Sequence, residues 1–182
     1  MSKTPAKKLI PLLLLTFTFA GVIGFLYETV CVMINTGGEF YKRGTTYGPW
    51  IPIYGFGALF LTLAVFKRKV SPLLVFVITC IGSFIIEFTT GYVLYHYFGG
   101  MRLWDYNVEI WNWGNIGGYV CFRSVAIFGI LGILFAKWAI PGLFKITDTA
   151  PRRKLLAFFI PLAVIFFGDI LINYILIPFV FK

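Results

Sequence analysis

Acidic side chains are scarce in this chain: seven Asp and Glu stand against sixteen Lys and Arg among 182 residues. Histidine occurs once, at His96, and cysteine three times, at Cys31, Cys80 and Cys121, with no CxxC pair and no Cys/His cluster. That spacing excludes a zinc ribbon or a dithiol redox motif, so free thiols in helices, no metal and no cofactor are expected. His96 reads as an interfacial histidine. There is also no Walker motif, no GxGxxG, no HExxH and no Ser/His/Asp spacing, so nothing marks the chain as hydrolysing nucleotides or acting as a familiar hydrolase.

Charge of either sign is thin as well, at 13% of residues, while 59% are hydrophobic, 20% are aromatic and the mean hydropathy is +0.88. A water-soluble domain of ordinary make-up is thereby excluded. Five apolar runs, near residues 9–34, 49–66, 71–98, 119–141 and 155–181, approach the length needed to cross about 30 Å of hydrocarbon. Nothing alternates with the period of a barrel strand, and backbone amides in lipid must be satisfied internally, so the spans are predicted to be helices. The expected fold is an all-α integral membrane bundle of about five transmembrane helices, forming a single transmembrane domain over residues 1–182. The basic start followed by "LIPLLLLTFTFAGVIGFL" is too long for a signal peptide core and lacks a small-residue cleavage site, so it is kept as the first span.

Lys and Arg set the expected orientation. Ten of them, Lys3, Lys7, Lys8, Lys67, Arg68, Lys69, Lys145, Arg152, Arg153 and Lys154, fall on one side, against Lys42, Arg43, Arg102 and Lys182 on the other. The N-terminus is therefore predicted to be cytoplasmic and the C-terminus outside. The net charge of +9 then reflects this bias and attraction to anionic membrane lipids, with no call for nucleic acid.

The side predicted to face outward carries the two long connections, and the stretch "RGTTYGPWIPIYGFG", Arg43 to Gly57, enters the second span from there. Pro49 and Pro52 suit a first helical turn, leaving only about 21 Å of regular helix after Ile53. The second helix is thus expected to have a re-entrant or broken outer end that dips into the bundle and lines a cavity. Tyr47, Trp50 and Tyr54 would line that cavity or form an aromatic belt at the headgroups. The other connection, "RLWDYNVEIWNWGNIGG", with Asp105 and Glu109, reads as an interfacial segment or a lid over the same cavity.

Four ionisable residues fall inside the spans: Glu28, Glu87, Arg123 and Asp169. Such residues are functional candidates by default. Gly21, Gly24, Glu28 and Cys31 share one helix face, as do Ser83, Glu87, Thr90 and Gly91. By depth, Arg123 is expected to pair with Glu28, with Arg43 joining from above. Glu87 and Asp169 would lie deeper, as proton-linked candidates with at least one protonated, so that Glu87→Gln and Asp169→Asn would both leave folding nearly intact.

"GFLYETV", "RGTTYGPWIPIYGFGA", Glu87 with "TTGYVL", "LWDYN" and "NIGGYVCFRS" together resemble small bacterial membrane proteins of the ABC-transporter permease family, type IV, CmpB-like, over about residues 21–140. The resemblance implies a multi-pass protein of the bacterial plasma membrane with a transport role and a cytoplasmic ATPase subunit as partner. Three functions stay open. One is a transport subunit, completed by dimerisation or a partner, with an outward-facing cavity for a small polar or cationic solute. The second is a membrane enzyme on a lipid or lipid-linked substrate, with Arg43 and Arg123 clamping a phosphate. The third is an accessory subunit of another membrane complex.

Overall fold

The computed structural model describes residues 8–35, 37–40, 44, 46–65, 68–109 and 112–176, and only the backbone of Asn35, Tyr174 and Ile175. Arg43, Thr45 and the expected end of the fifth span at 177–181 lie outside the described residues. The described chain is helical: α1 (Leu9–Asn35), α2 (Pro52–Val65), α3 (Pro72–Tyr97), α4 (Phe122–Leu134), α5 (Ile140–Thr149) and α6 (Arg152–Ile170). Among the described residues the nearest thing to a strand is one isolated bridge, Ile116 to Val120.

Among the described residues four helical stretches are long and apolar enough to cross a membrane: Leu9–Ile34, Pro72–Tyr97, Phe122–Thr149 and Arg152–Asn173. α2, with 14 residues, reaches only about 21 Å, so a crossing at this position takes in the non-helical segment before it as well. The fourth span differs from expectation. It begins at Phe122 and runs to Thr149, past Pro141 and Gly142, because a π turn at Phe135–Ala139 joins α4 to α5. Ile140 donates to the carbonyl of Phe135 in an i to i−5 bond, and this widened turn leads into Pro141, which has no N–H to contribute. A second π turn, Leu171–Leu176, continues α6.

The chain divides into two compact units, one of Met1–Ala58 with Gly142–Lys182 and one of Leu59–Pro141. In the first, α1 packs on α6. Phe17 meets Phe166 edge-on at a centroid distance of 4.6 Å and stacks on Phe167 at 5.7 Å. Lys8 donates to the carbonyl of Asp148 at 2.6 Å, placing its ammonium at the C-terminal end of α5, where the helix dipole favours a cation. The start of α1 and the turn from α5 to α6 therefore lie at one end of this unit.

In the second unit α3 packs on α4 through glycine. A Cβ at Gly129 would strike Phe76 and Cys80, and one at Gly132 would strike Thr79, so the small residues let the helices approach closely. Ser71 caps α3 by accepting from the Leu74 amide at 3.2 Å, with Pro72 in the first turn. Past its end the chain turns through Gly99 and Gly100, both at positive φ. The Gly100 amide then reaches back to the Tyr95 carbonyl at 2.9 Å.

Candidate functional site

Among the described residues each unit holds one buried carboxyl group, Asp169 or Glu87, and each gathers chain around it. In the first unit the segment leading into α2 is non-helical yet covered: Thr46, Trp50 and Ile51 are all buried. Its backbone groups find partners inside the protein, as apolar surroundings demand. The Ile51 amide donates to the carbonyl of Gly21 at 3.0 Å, and Thr46 Oγ1 donates to the Trp50 carbonyl at 2.7 Å. Gly21 lies twelve residues into α1, about 18 Å along it, so the segment is re-entrant, as expected. The glycine stripe on α1 makes room for it: a Cβ at Gly21 would touch Trp50, and one at Gly24 would collide with the Tyr54 ring.

Asp169 on α6 closes this segment. Its Oδ1 accepts from the Tyr47 amide at 2.8 Å and Asn173 Nδ2 at 2.6 Å. Its Oδ2 accepts from the Gly48 amide at 2.8 Å and the Trp50 indole at 3.0 Å. Tyr47 contributes its backbone here while its side chain is exposed. Farther along, Tyr54 donates its hydroxyl to Glu28 at 3.0 Å. The sequence-predicted residues Tyr47, Trp50 and Asp169 are thus one cluster, and Glu28 with Tyr54 is a second contact in the same unit. The expectation that Asp169→Asn leaves folding nearly intact is corrected by this geometry: four N–H donors converge on two oxygens, and an amide nitrogen would point hydrogens at two of them.

In the second unit Glu87 on α3 is buried at 3% exposure. Ser124 Oγ lies 2.8 Å from its Oε2, and the Tyr106 hydroxyl lies 3.5 Å from both carboxylate oxygens. Ser124 sits there because Cys121 and Ser124 cap α4 reciprocally, Cys121 Sγ accepting from the Ser124 amide at 3.4 Å. Burial, above all, pushes the Tyr106 phenol well above its ordinary range.

Arg123 pairs with Glu109, which corrects the expected Arg123–Glu28 pair. Depth alone matched Arg123 to Glu28, whereas the connection between α3 and α4 folds back and brings its own carboxylate. That connection is a compact polar lobe. Arg102 bonds Asp105 at 3.3 Å and the Gly117 carbonyl at 3.1 Å, and its guanidinium lies 4.4 Å from the Tyr95 ring centroid. Asp105 also accepts from the Asn107 amide at 3.0 Å. Gly118, at φ +80°, lies where a Cβ would strike Arg102, Asn107 and Asp105. Asp105 is therefore engaged in holding the lobe together.

Sequence reasoning passed over Tyr106, the pairing of Glu109 with Arg123 and the partnership of Ser124 with Glu87. The turn-forming "WDYN" and "GNIGG" around them were the available signal. Among the described residues no group of three or more His, Cys, Asp and Glu is placed to hold a metal ion.

Comparison with known proteins bears on what these clusters serve. No curated protein and no solved structure matches the chain. A family model described as Putative ABC-transporter type IV matches residues 15–174, spanning α1 to α6 and both carboxylate clusters. The chain belongs to that family of membrane proteins.

Proposed function

We propose that this chain is the membrane-embedded subunit of an ABC-type transporter, with an outward-facing cavity for a small polar or cationic solute and a separate ATPase subunit on the cytoplasmic side. One observation carries the reading: backbone that is not helical, reaching Gly21, about 21 Å in from the C-terminal end of α1, and held there by Gly21 and Asp169. Transporters bind their substrates at such broken elements near mid-membrane, where interrupted helices expose backbone dipoles to the solute. The residues proposed to line or support the path are Glu28, Tyr47, Trp50, Tyr54 and Asp169, with Arg43 from the sequence; Glu87, Asp105 and Arg123 belong to the second unit and are proposed as a separate polar cluster. The absence of a Walker motif from the sequence calls for the ATPase in a second chain.

In this reading the N-terminus is cytoplasmic and the C-terminus outside, in the bacterial plasma membrane. The Lys8 bond to Asp148 supports it by keeping the basic start of the chain on the side of the basic α5–α6 turn. A homo-oligomer would supply the helices that a complete pathway needs beyond these. The lipid-enzyme reading ranks lower, because Arg123 is engaged with Glu109.

The test is co-purification of the chain from its own membrane in mild detergent, followed by native mass spectrometry. The expected result is a complex containing an ATPase subunit. Recovery of the chain with lipid alone would overturn the ABC assignment.

A further inference from the structure

We infer that Glu87 holds a proton in this conformation, in a proton-binding site built with Ser124, the Cys121 carbonyl and Tyr106. The reason is a count of hydrogens. Ser124 Oγ lies 2.8 Å from Glu87 Oε2 and 2.9 Å from the carbonyl oxygen of Cys121. Both separations are hydrogen-bond lengths between oxygens, and each needs a hydrogen between the two atoms. A serine hydroxyl carries one. If that hydrogen goes to Glu87, the contact with Cys121 sets two lone pairs against each other. If it goes to Cys121, the contact with Glu87 is satisfied only when the carboxyl supplies the hydrogen. A protonated Glu87 donating to Ser124, which donates in turn to Cys121, satisfies both.

The groups around the site fit this assignment. The connection before α4 brings Tyr106, whose hydroxyl lies 3.5 Å from both Glu87 oxygens and can donate or accept by turning. α4 brings Arg123, whose charge is paired with Glu109. Glu87 is 3% exposed, where a neutral acid is far cheaper to hold than a carboxylate.

The site also couples the proton to structure. When Glu87 gives up its proton, the Ser124 hydroxyl turns from Cys121 to the new carboxylate, and the Cys121 carbonyl loses that partner at the N-terminal turn of α4. The proposal is independent of transport: it concerns one proton and is read spectroscopically.

Infrared spectra of the purified chain at neutral pH test it. The expected result is a protonated-carboxyl C=O band that shifts in heavy water, shifts again on labelling glutamate carboxyls with ¹³C, and is lost in Glu87→Gln. In Ser124→Ala the band should move to higher frequency, because the acid loses its acceptor. Glutamate labelling of the unmutated chain keeps the test valid if Glu87→Gln does not fold. Absence of a glutamate-sensitive band overturns the proposal, and a band unmoved by Ser124→Ala overturns the assignment of Ser124 as the proton's acceptor.

Discussion

Asp169 and Glu87 are both buried carboxyl groups on membrane helices, and they are surrounded by opposite chemistry. N–H groups, which can only donate, converge on Asp169 from two backbone amides, an indole and Asn173. Glu87 meets the hydroxyls of Ser124 and Tyr106, which donate or accept by turning. A carboxyl ringed by fixed donors is a clasp. One facing rotatable hydroxyls can change its proton count while keeping its neighbours. At similar burial, one carboxyl is held by fixed donors while the other faces hydroxyls suited to the proton proposed for it.

The comparison breaks most visibly at Asp169. Asp169→Ala leaves the Tyr47 and Gly48 amides and the Trp50 indole without their acceptor, each loss costing about 1–3 kcal/mol, so loss of a monodisperse folded species in detergent is expected. Asp169→Asn should cost about 2–4 kcal/mol for the two donors it opposes. Glu87→Gln, by contrast, should change thermal stability by less than about 1 kcal/mol, since its amide donates to Ser124 and accepts from Tyr106. Equal losses for the two amide variants in a melting experiment would erase the distinction.

Trp50→Phe sharpens the clasp by removing one of its four donors while keeping an aromatic ring against Phe166. A loss of about 1–2 kcal/mol is expected, well below that of Asp169→Ala.

Tyr106 probes the other side through pH. Its folded-state pKa is raised above the ordinary value near 10, so the native chain keeps the phenolic proton that the unfolded chain releases. Stability contributed this way is whole below pH 10 and falls above it, by about 1 kcal/mol per pH unit. Alkaline unfolding followed by fluorescence should be correspondingly shallower in Tyr106→Phe.

The smallest effect concerns Arg123. Its pair with Glu109 is about one-third exposed on both sides, so a double-mutant cycle of Arg123→Gln with Glu109→Gln should give a coupling of about 0.2–1 kcal/mol. The cycle of Arg123→Gln with Glu28→Gln should be additive. Coupling in the second cycle and none in the first would reinstate the pairing suggested by depth.

These outcomes trace how far the sequence could be read. Helix periodicity placed Glu28 on the glycine face that receives Tyr54, and two prolines with a short apolar run marked the re-entrant segment, because local sterics and membrane thickness leave few alternatives. The partners of the charges were harder to see. Depth along a helix is a single coordinate, and it could not show that the connection before α4 folds back to bring Glu109 to Arg123 and Tyr106 to Glu87. Nor could side-chain counting find the partners of Asp169, two of which are backbone amides. The fourth span runs past its expected end at 141 to Thr149, because the π turn ahead of Pro141 and Gly142 carries the helix on.

The clasp has a consequence for how the chain is made. Gly48 and Asp169 are separated by 121 residues, and synthesis at ~5–20 residues per second puts about 6–24 s between them. Throughout that interval the Tyr47 and Gly48 amides have no carboxylate to accept from them, and exposed to lipid they would cost several kcal/mol. The segment must therefore wait in water, at the headgroups or under the cover of the insertion machinery until α6 arrives. The second unit is continuous in sequence and needs no such delay, so its helices can pack while the first unit is still half synthesised.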